Sequence, residues 1–399
     1  MKILWAKSDF LHPTTKGGHI RTLETLKRLH QRHEIHYVAL DLPEQAGGFQ
    51  RSWGYCTRAY PIAHVAPPRT SPRFWMAAGA GLFSPLPLAV SRYQSHAMKR
   101  QIETLTRMHK FDAIVCDFLF AAPNMPDLGE VTLFQHNVEA LIWKRHAEHS
   151  RMPLRRAYFE SQYQRMLCYE GEVCRSAKTV IAVSDVDARA IESGYGVPCV
   201  RAVPTGVDLD YFRPPAQSRP AADFVFLGSM DWMPNIDGAK WFTREVLPLI
   251  RKHRPECSLA IVGRKPSVAI RRLAAQDPRI AVTGTVSDVR PYLWGSAVSV
   301  VPLRIGGGTR LKIYEAMAAR IPVVSTTVGA EGLDVRDGEN ILLADSPRDF
   351  ADHCLSLLAD ADARLRLANA AWEMIAASYS WDVVAQKFEK LLECPGPHA

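Results

Sequence analysis

The chain lacks several devices that would settle its class at once, and each absence narrows the choice. Eight cysteines lie at Cys56, Cys116, Cys168, Cys174, Cys199, Cys257, Cys354 and Cys394 with no CxxC pair and no zinc-type spacing, which excludes a zinc module and points to a reduced, cytosolic compartment. Several sit in apolar strand-like runs such as AIVCDF, where a thiol behaves as a small hydrophobe. The most apolar stretch, Phe74 to Val90, is 17 residues long and interrupted by Gly79, Gly81, Pro85 and Pro87, so it reads as a buried loop rather than a membrane span. The N-terminus opens on the strand-like MKILWA without a signal-peptide pattern. There is no low-complexity tract, no internal repeat, and no interleaving of aromatic and basic residues of the kind that binds nucleic acid.

What is present is a chain of 399 residues, 47% hydrophobic, which is too long for one ordinary core and predicts two domains of roughly 150–200 residues each. The formal charge is +8, and residues 1–200 carry 25 Lys and Arg against 18 Asp and Glu, whereas residues 201–399 carry 24 against 23. The positive field therefore belongs to the first half. Lys99, Arg100, Lys144, Arg145, Arg151, Arg155, Arg156 and Arg165 supply much of it on helix-like segments, which suits either solvated helix faces or contact with an anionic membrane surface or acceptor.

Short apolar runs alternate with helical patterns. Ile3–Ala6, Ile35–Leu40, Ala113–Cys116, Thr132–Gln135, Thr179–Val183 and Cys199–Val203 read as strands of the first half. After a proline-rich linker from Pro204 to Ala222 the pattern restarts with Phe224–Leu227, Leu259–Val262, Ile280–Val282, Val298–Val301, Pro322–Ser325 and Ile341–Leu343. This alternation predicts an α/β protein with two consecutive doubly wound parallel sheets and a ligand cleft at the carboxyl ends of their strands.

The segment LRIGGGTRLKIYEAMAARIPVVST, Leu303 to Thr326, carries the most chemistry. Gly306, Gly307 and Gly308 open a helix whose first-turn amides form an anion site, and Arg310 and Lys312 add two cations suited to a diphosphate. One turn on, Glu315 is a carboxylate suited to sugar hydroxyls, as an acidic residue is to ribose in dinucleotide sites. Together they describe a nucleotide, or a nucleotide-sugar. The other reading is a glycine turn before an ordinary amphipathic helix, with Glu315 and Lys312 as a solvated pair. Gly308 is followed by Thr309 and Arg310, which is no P-loop, and Leu311 stands where a dinucleotide fingerprint needs glycine. No G-x-G-x-x-G follows either domain's first strand, which argues against a nicotinamide dehydrogenase.

In the first half, Gly17 and Gly18 precede a helix from His19 to His30, and His136 lies just past a strand end, where it can bond or share charge with a ligand. Two DxD patterns occur, Asp185-Val186-Asp187 and Asp208-Leu209-Asp210. The first reads as helix capping behind Ser184 and the second as a linker turn, so no metal site is expected.

These motifs, in this order, resemble family 4 glycosyltransferases of the GT-B fold, among the bacterial members associated with exopolysaccharide and cell-surface glycan assembly. The matching segments are HNVE from His136, PTGVD from Pro204, LGSMDWMPNIDGAKWF from Leu227, GGGTRLKIYEAMAARIPVVST with GAEGL after it, and the tail SYSWDVVAQKFEKLLE. The resemblance implies two Rossmann-like domains, residues 1–212 on the acceptor side joined by a returning helix at 379–395, and residues 213–378 on the donor side. It implies a nucleotide-diphospho-sugar donor and a glycan or lipid-linked acceptor, transfer with retention, and no cofactor. Glu315 would take the ribose, Arg310 and Lys312 the diphosphate, and Gly306 to Thr309 and His136 the sugar. Gly228, Asn235 and Val286 would line the phosphate and base ends, with Arg264 as a further cation and Gly17 and Gly18 as donor-binding glycines contributed by the first domain.

Two departures stand out. The family's acidic pair has a glutamate eight positions before Glu315, where this chain has Gly307. The loop after the first strand of the second domain reads GSMDWMPN, without the family's usual Arg and Lys, so Lys312, Arg310, Arg264 or Lys265 must supply that charge. A sugar-nucleotide epimerase or hydrolase of the same shape would need acid and base carboxylates in the cleft, where only Glu315 is evident. A non-catalytic nucleotide-sugar-binding subunit is the remaining alternative.

Overall fold

The computed structural model describes residues 1–14, 17–43, 47–64, 86–150, 152–215, 222–305 and 311–393. The chain divides into two compact units: Met1–Thr205 with Val384–Ala399, and Gly206–Val383. The divide after Thr205 falls at the start of the proline-rich linker that begins at Pro204.

In unit 1 the strands are β1 (Lys2–Lys7), β2 (Glu34–Asp41), β3 (Arg58–Ala63), β4 (Ala113–Asp117), β5 (Thr132–Phe134), β6 (Thr179–Ala182) and β7 (Val200–Ala202). Among the described residues they form one sheet in the order β3-β2-β1-β4-β5-β6-β7, with each neighbouring pair parallel. The inner strands are apolar runs rather than alternating ones, as sheets covered on both faces require; β1 is buried from Ile3 to Lys7. The covering helices are α1 (Gly17–Leu29), the short α2 (Leu88–Ser91), α3 (His96–Met108), α4 (Glu139–His149), α5 (Pro153–Ser176) and α6 (Asp185–Tyr195). α3 shows the local logic. Ser95 caps it by accepting from the Met98 amide, and Met98, Ile102 and Leu105 put one apolar stripe on the core.

β3 is the strand that the sequence pattern does not announce. It is an edge strand, largely exposed, with Pro61 inside it. A proline that removes a ladder donor is tolerated at an edge, and half-exposed residues blur the apolar run.

Unit 2 begins with the short α7 (Leu209–Phe212) and repeats the plan. Its strands are β8 (Ala222–Leu227), β9 (Leu259–Val262), β10 (Ile280–Val282), β11 (Ser296–Val301), β12 (Val323–Ser325) and β13 (Leu342–Leu343), in the order β10-β9-β8-β11-β12-β13 and all parallel. Between them lie α8 (Met233–Trp241), α9 (Leu247–Arg251), α10 (Val268–Gln276), α11 (Arg290–Trp294) and α12 (Leu311–Ala318), followed by α13 (Pro347–Ala359), α14 (Ala361–Ser378) and α15 (Trp381–Glu393). Strand order reverses between β1 and β4 in one unit and between β8 and β11 in the other. These are the points where open α/β sheets bind ligands beyond the strands' carboxyl ends.

From Val384 onward α15 belongs to unit 1. Phe388 is fully buried there, with ring centroids 5.5 Å from Trp5 and 4.9 Å from Phe134. Glu389 pairs with Arg32 at 2.5 Å and His33 at 2.6 Å. The segment Phe74 to Val90, expected as a buried loop, lies outside the described residues up to Pro85.

Candidate active site

In unit 2 the loops after β8 and β9 are joined backbone to backbone. The Gly228 amide donates to Val262 O (3.0 Å), Met230 to Arg264 O (2.9 Å) and Ser267 to Met230 O (3.3 Å). The approach is closest at Gly263, where a Cβ would stand 1.7 Å from Gly228 O. A Cβ on Gly228 would meet Asn235 Nδ2 at 2.6 Å. Asn235, 2% exposed near the start of α8, donates to Ser229 O (2.9 Å) and accepts from Lys312 Nζ (2.7 Å). The same ammonium lies 4.9 Å from the Phe226 ring centroid. Lys312 is thus anchored at the carboxyl end of β8, beside the switch point, by an amide and an aromatic face.

Glu315 follows one turn later on α12. It is partly buried and has no hydrogen-bond partner among the described residues; burial pushes its carboxyl up, and Lys312 partly offsets this. Arg264 Nε donates to Ser229 Oγ (2.7 Å), and Ser229 Oγ donates to Asp231 Oδ1 (2.7 Å). Arg264, from the end of β9, therefore brings a cation to the loop whose own sequence GSMDWMPN lacks one. Val286 packs against the unit 2 core. Gly306, Gly307, Gly308, Thr309 and Arg310 lie outside the described residues.

Unit 1 has a denser polar centre. Asp117, fully buried at the end of β4, accepts from Lys7 Nζ (2.6 Å) and His136 Nε2 (2.5 Å) on Oδ1, and from Trp5 Nε1 (2.9 Å) and Thr22 Oγ1 (2.7 Å) on Oδ2. Arg21 Nη1 lies 2.8 Å from His136 Nδ1, and Arg21 Nε donates to Thr205 Oγ1 (2.8 Å). Burial lowers the Arg21 pKa to about 10 and outweighs the Asp117 and Asp187 charges. Burial is also the largest influence on His136, whose pKa falls to about 4 despite Asp117. Burial pushes the Asp117 carboxyl up, but Lys7 and His136 together hold it well below the ordinary carboxylate range. Gly17 and Gly18 open α1, with Gly18 beside the His136 ring.

From sequence His136 is either a ring that bonds or shares charge with a ligand or a satisfied loop histidine; within unit 1 its two nitrogens stand against Asp117 and Arg21. Lys7, Arg21 and Asp117 escape the sequence analysis. The available signal was a charged residue at the carboxyl end of an apolar strand, as in KILWAK and AIVCD.

The HNVE segment is held by a second buried carboxylate. Glu170 of α5 accepts from Gln135 Nε2 (3.0 Å), the Glu139 and Ala140 amides (3.0 and 2.8 Å) and Tyr195 Oη (2.7 Å), and so caps α4 from another helix. Burial, reinforced by Glu170, pushes the Glu139 carboxyl up to about 7.

Both DxD patterns have structural duties. Ser184 caps α6 and bonds Asp187 Oδ2 (2.8 Å), while Asp208 accepts from the Tyr211 amide (2.9 Å). Among the described residues no three His, Cys, Asp or Glu side chains gather as a metal site, and no helix is long and apolar enough to cross a membrane. The described cysteines are free thiols.

Two doubly wound parallel sheets in one chain, with Lys312 held beside the switch point of the second, define a class of two-unit α/β proteins with Rossmann-like sheets. Residues 15–211 match the family model Glycosyltransferase Family 4, and residues 221–360 match Glycosyl transferases group 1. The chain belongs to the family 4 glycosyltransferases, and its fold is GT-B. It is 24% identical over 162 residues to an uncharacterized 44.6 kDa protein in the cps region of Klebsiella pneumoniae, which covers 39% of this chain and 42% of that one. It is 29% identical over 212 residues to a GDP-mannose-dependent alpha-(1-6)-phosphatidylinositol monomannoside mannosyltransferase of Mycobacterium tuberculosis, covering 48% and 54%. The chain thus spans about half the length of the curated relatives it matches. Sucrose-phosphate synthase from Thermosynechococcus elongatus shares the fold with a TM-score of 0.66 at 17% identity over 98% of both chains.

Proposed function

We propose that the chain transfers a sugar from a nucleotide-diphospho-sugar to a glycan or lipid-linked acceptor, with retention at the anomeric carbon and without a metal ion. The observation that carries this reading is the pair on α12: Lys312, anchored on Asn235 at 2.7 Å, and Glu315, one turn away without a hydrogen-bond partner among the described residues. Lys312 would meet the diphosphate and Glu315 the ribose hydroxyls. Arg310 and the amides of Gly306 to Thr309 join them on the strength of the sequence alone. Arg264 and Val286 would line the phosphate and base ends beside Gly228.

In the transfer, the bond between the anomeric carbon and the diphosphate oxygen breaks and negative charge gathers on the leaving nucleoside diphosphate. Fixed cations and helix amides stabilise that charge without reorganising. The acceptor oxygen forms its bond on the same face, and its proton passes to the departing phosphate. Unit 1 would hold the acceptor. The name of the mycobacterial relative couples GDP-mannose to a phosphatidylinositol monomannoside, which supports a lipid-linked arm here. The cps-region relative supports a place in surface-polysaccharide assembly. Contact with the anionic inner face of the cell membrane is supported by the turn between α4 and α5. Met152, just before α5, is 57% exposed and Leu154, in its first turn, is 86% exposed; Arg155 and Arg156 follow them exposed, and Lys144 is exposed on α4.

Calorimetric titration of the protein with UDP, GDP, ADP and TDP, with and without EDTA, tests the donor site. Saturable, EDTA-insensitive binding of one diphosphate, lost in Glu315→Ala, is expected. Binding of none of them, or binding only with a divalent metal, would overturn the assignment of Lys312 and Glu315.

A further inference from the structure

The transfer scheme leaves the centre around Asp117 without a task, although four side chains converge on its carboxylate. Its ligating groups come from β1 (Trp5, Lys7), α1 (Thr22) and the end of β5 (His136), so one carboxylate ties three neighbouring elements together at the carboxyl ends of the strands. The next residue, Phe118, has φ of 80°, a left-handed conformation that a bulky side chain rarely adopts. Its amide donates to Phe134 O at 2.9 Å, which ties the β4 turn to β5. Strain of this kind persists where the surroundings over-determine a geometry.

The hydrogen-bond inventory fixes the imidazole. A guanidinium has donors only, so His136 Nδ1 must accept from Arg21, and the ring proton must sit on Nε2 and be donated to Asp117. Protonating Nδ1 would require Arg21 to withdraw. Three charged groups face the ring: Lys7 from β1, Arg21 from α1 and Asp117 from β4. Asp187 of α6 also acts on Arg21 through its charge.

We propose that Asp117 and Arg21 are positioning residues that hold His136 as a neutral Nε2–H imidazole, keeping the end of β5 and the first turn of α1 in one arrangement during sugar transfer. The transfer part of this proposal rests on the glycosyltransferase reading above. The tautomer part does not.

The experiment has two arms on the full chain. With ¹⁵N-labelled histidine, one ring signal, absent in His136→Gln, is expected to stay neutral with its proton on Nε2 down to about pH 5, well below the ordinary histidine value near 6.5. A His136 signal that titrates near 6.5, or that shows the Nδ1–H form, overturns the proposal without recourse to any variant of the centre. In the second arm kcat and KM are measured against pH. The wild-type kcat is expected to be level between about pH 5 and 8. Arg21→Met removes the donor to Nδ1 beside Asp117, so an acid limb with a midpoint near 6 should appear in kcat, while donor KM stays within about threefold. Arg21→Lys should restore the level profile. An Arg21→Met profile parallel to wild type overturns the positioning role. If the wild-type chain binds a nucleoside diphosphate but turns over no donor, the transfer reading fails and the tautomer result stands by itself.

Discussion

Replacing Glu315 with glutamine is expected to make the free protein more stable and the nucleotide complex weaker. The carboxyl is raised by burial, with Lys312 opposing only in part. A carboxyl whose folded pKa lies above its unfolded one costs stability when ionised; the cost is absent below the unfolded value of about 4.3 and develops as pH rises through the folded value. Glutamine keeps the shape and removes the charge. Relief of about 1 kcal/mol, the low end of the cost of a buried unsatisfied polar group, would raise the unfolding midpoint of a unit of this size by about 2–4 °C. The gain should be present at pH 8 and gone at pH 4. A hydrogen bond to a charged group contributes about 1.5–3 kcal/mol, so nucleoside diphosphate affinity should fall by roughly 10- to 100-fold. Thermal unfolding at the two pH values and calorimetry at pH 8 measure both effects. A lower midpoint at pH 8 would mean that Glu315 has a stabilising partner, and affinity unchanged within about twofold would remove it from the nucleotide site.

Glu139→Gln should act through the same linkage with a defined window: the Glu139 carboxyl is raised to about 7, so the variant should match wild type near pH 4 and gain stability relative to it as pH rises to 8, as read by urea unfolding. Phe388→Ala deletes a fully buried ring against Trp5 and Phe134 and should cost unit 1 about 3–5 kcal/mol in chemical denaturation, whereas a cost below about 1 kcal/mol would mean that α15 is not part of that core. Met152→Glu with Leu154→Glu should abolish co-sedimentation with vesicles containing phosphatidylglycerol while leaving nucleoside diphosphate binding intact, and unchanged sedimentation would remove the α4–α5 turn from any membrane contact.

The strands of unit 2 and the inner strands of unit 1 were legible because they are apolar runs bounded by glycine, proline and helical periodicity. That pattern is what burial on both faces demands. β3 was not, because an edge strand needs no continuous apolar run and tolerates Pro61. The candidate site divides along the same physical line. Lys312 and Glu315 stand out in the sequence because the pattern expected of a helix-borne anion site is local: glycines, cations and a carboxylate follow each other within ten positions. What anchors Lys312 was not visible as a contact, since Asn235 is 77 positions away and only the parallel sheet brings β8 and β11 side by side. Asp117 is the extreme case, with Trp5 and Lys7 more than a hundred positions before it. In sequence it is one acid after a run of apolar residues, and nothing local distinguishes it from a solvated strand end. The distinction comes from what a buried carboxylate requires: it must be matched by cations and donors from whatever elements surround it. A charged residue at the last position of a both-faces-buried strand is therefore a request for partners elsewhere in the chain, and Lys7, which ends β1 in the same way, was the partner that the same rule would have paired with it.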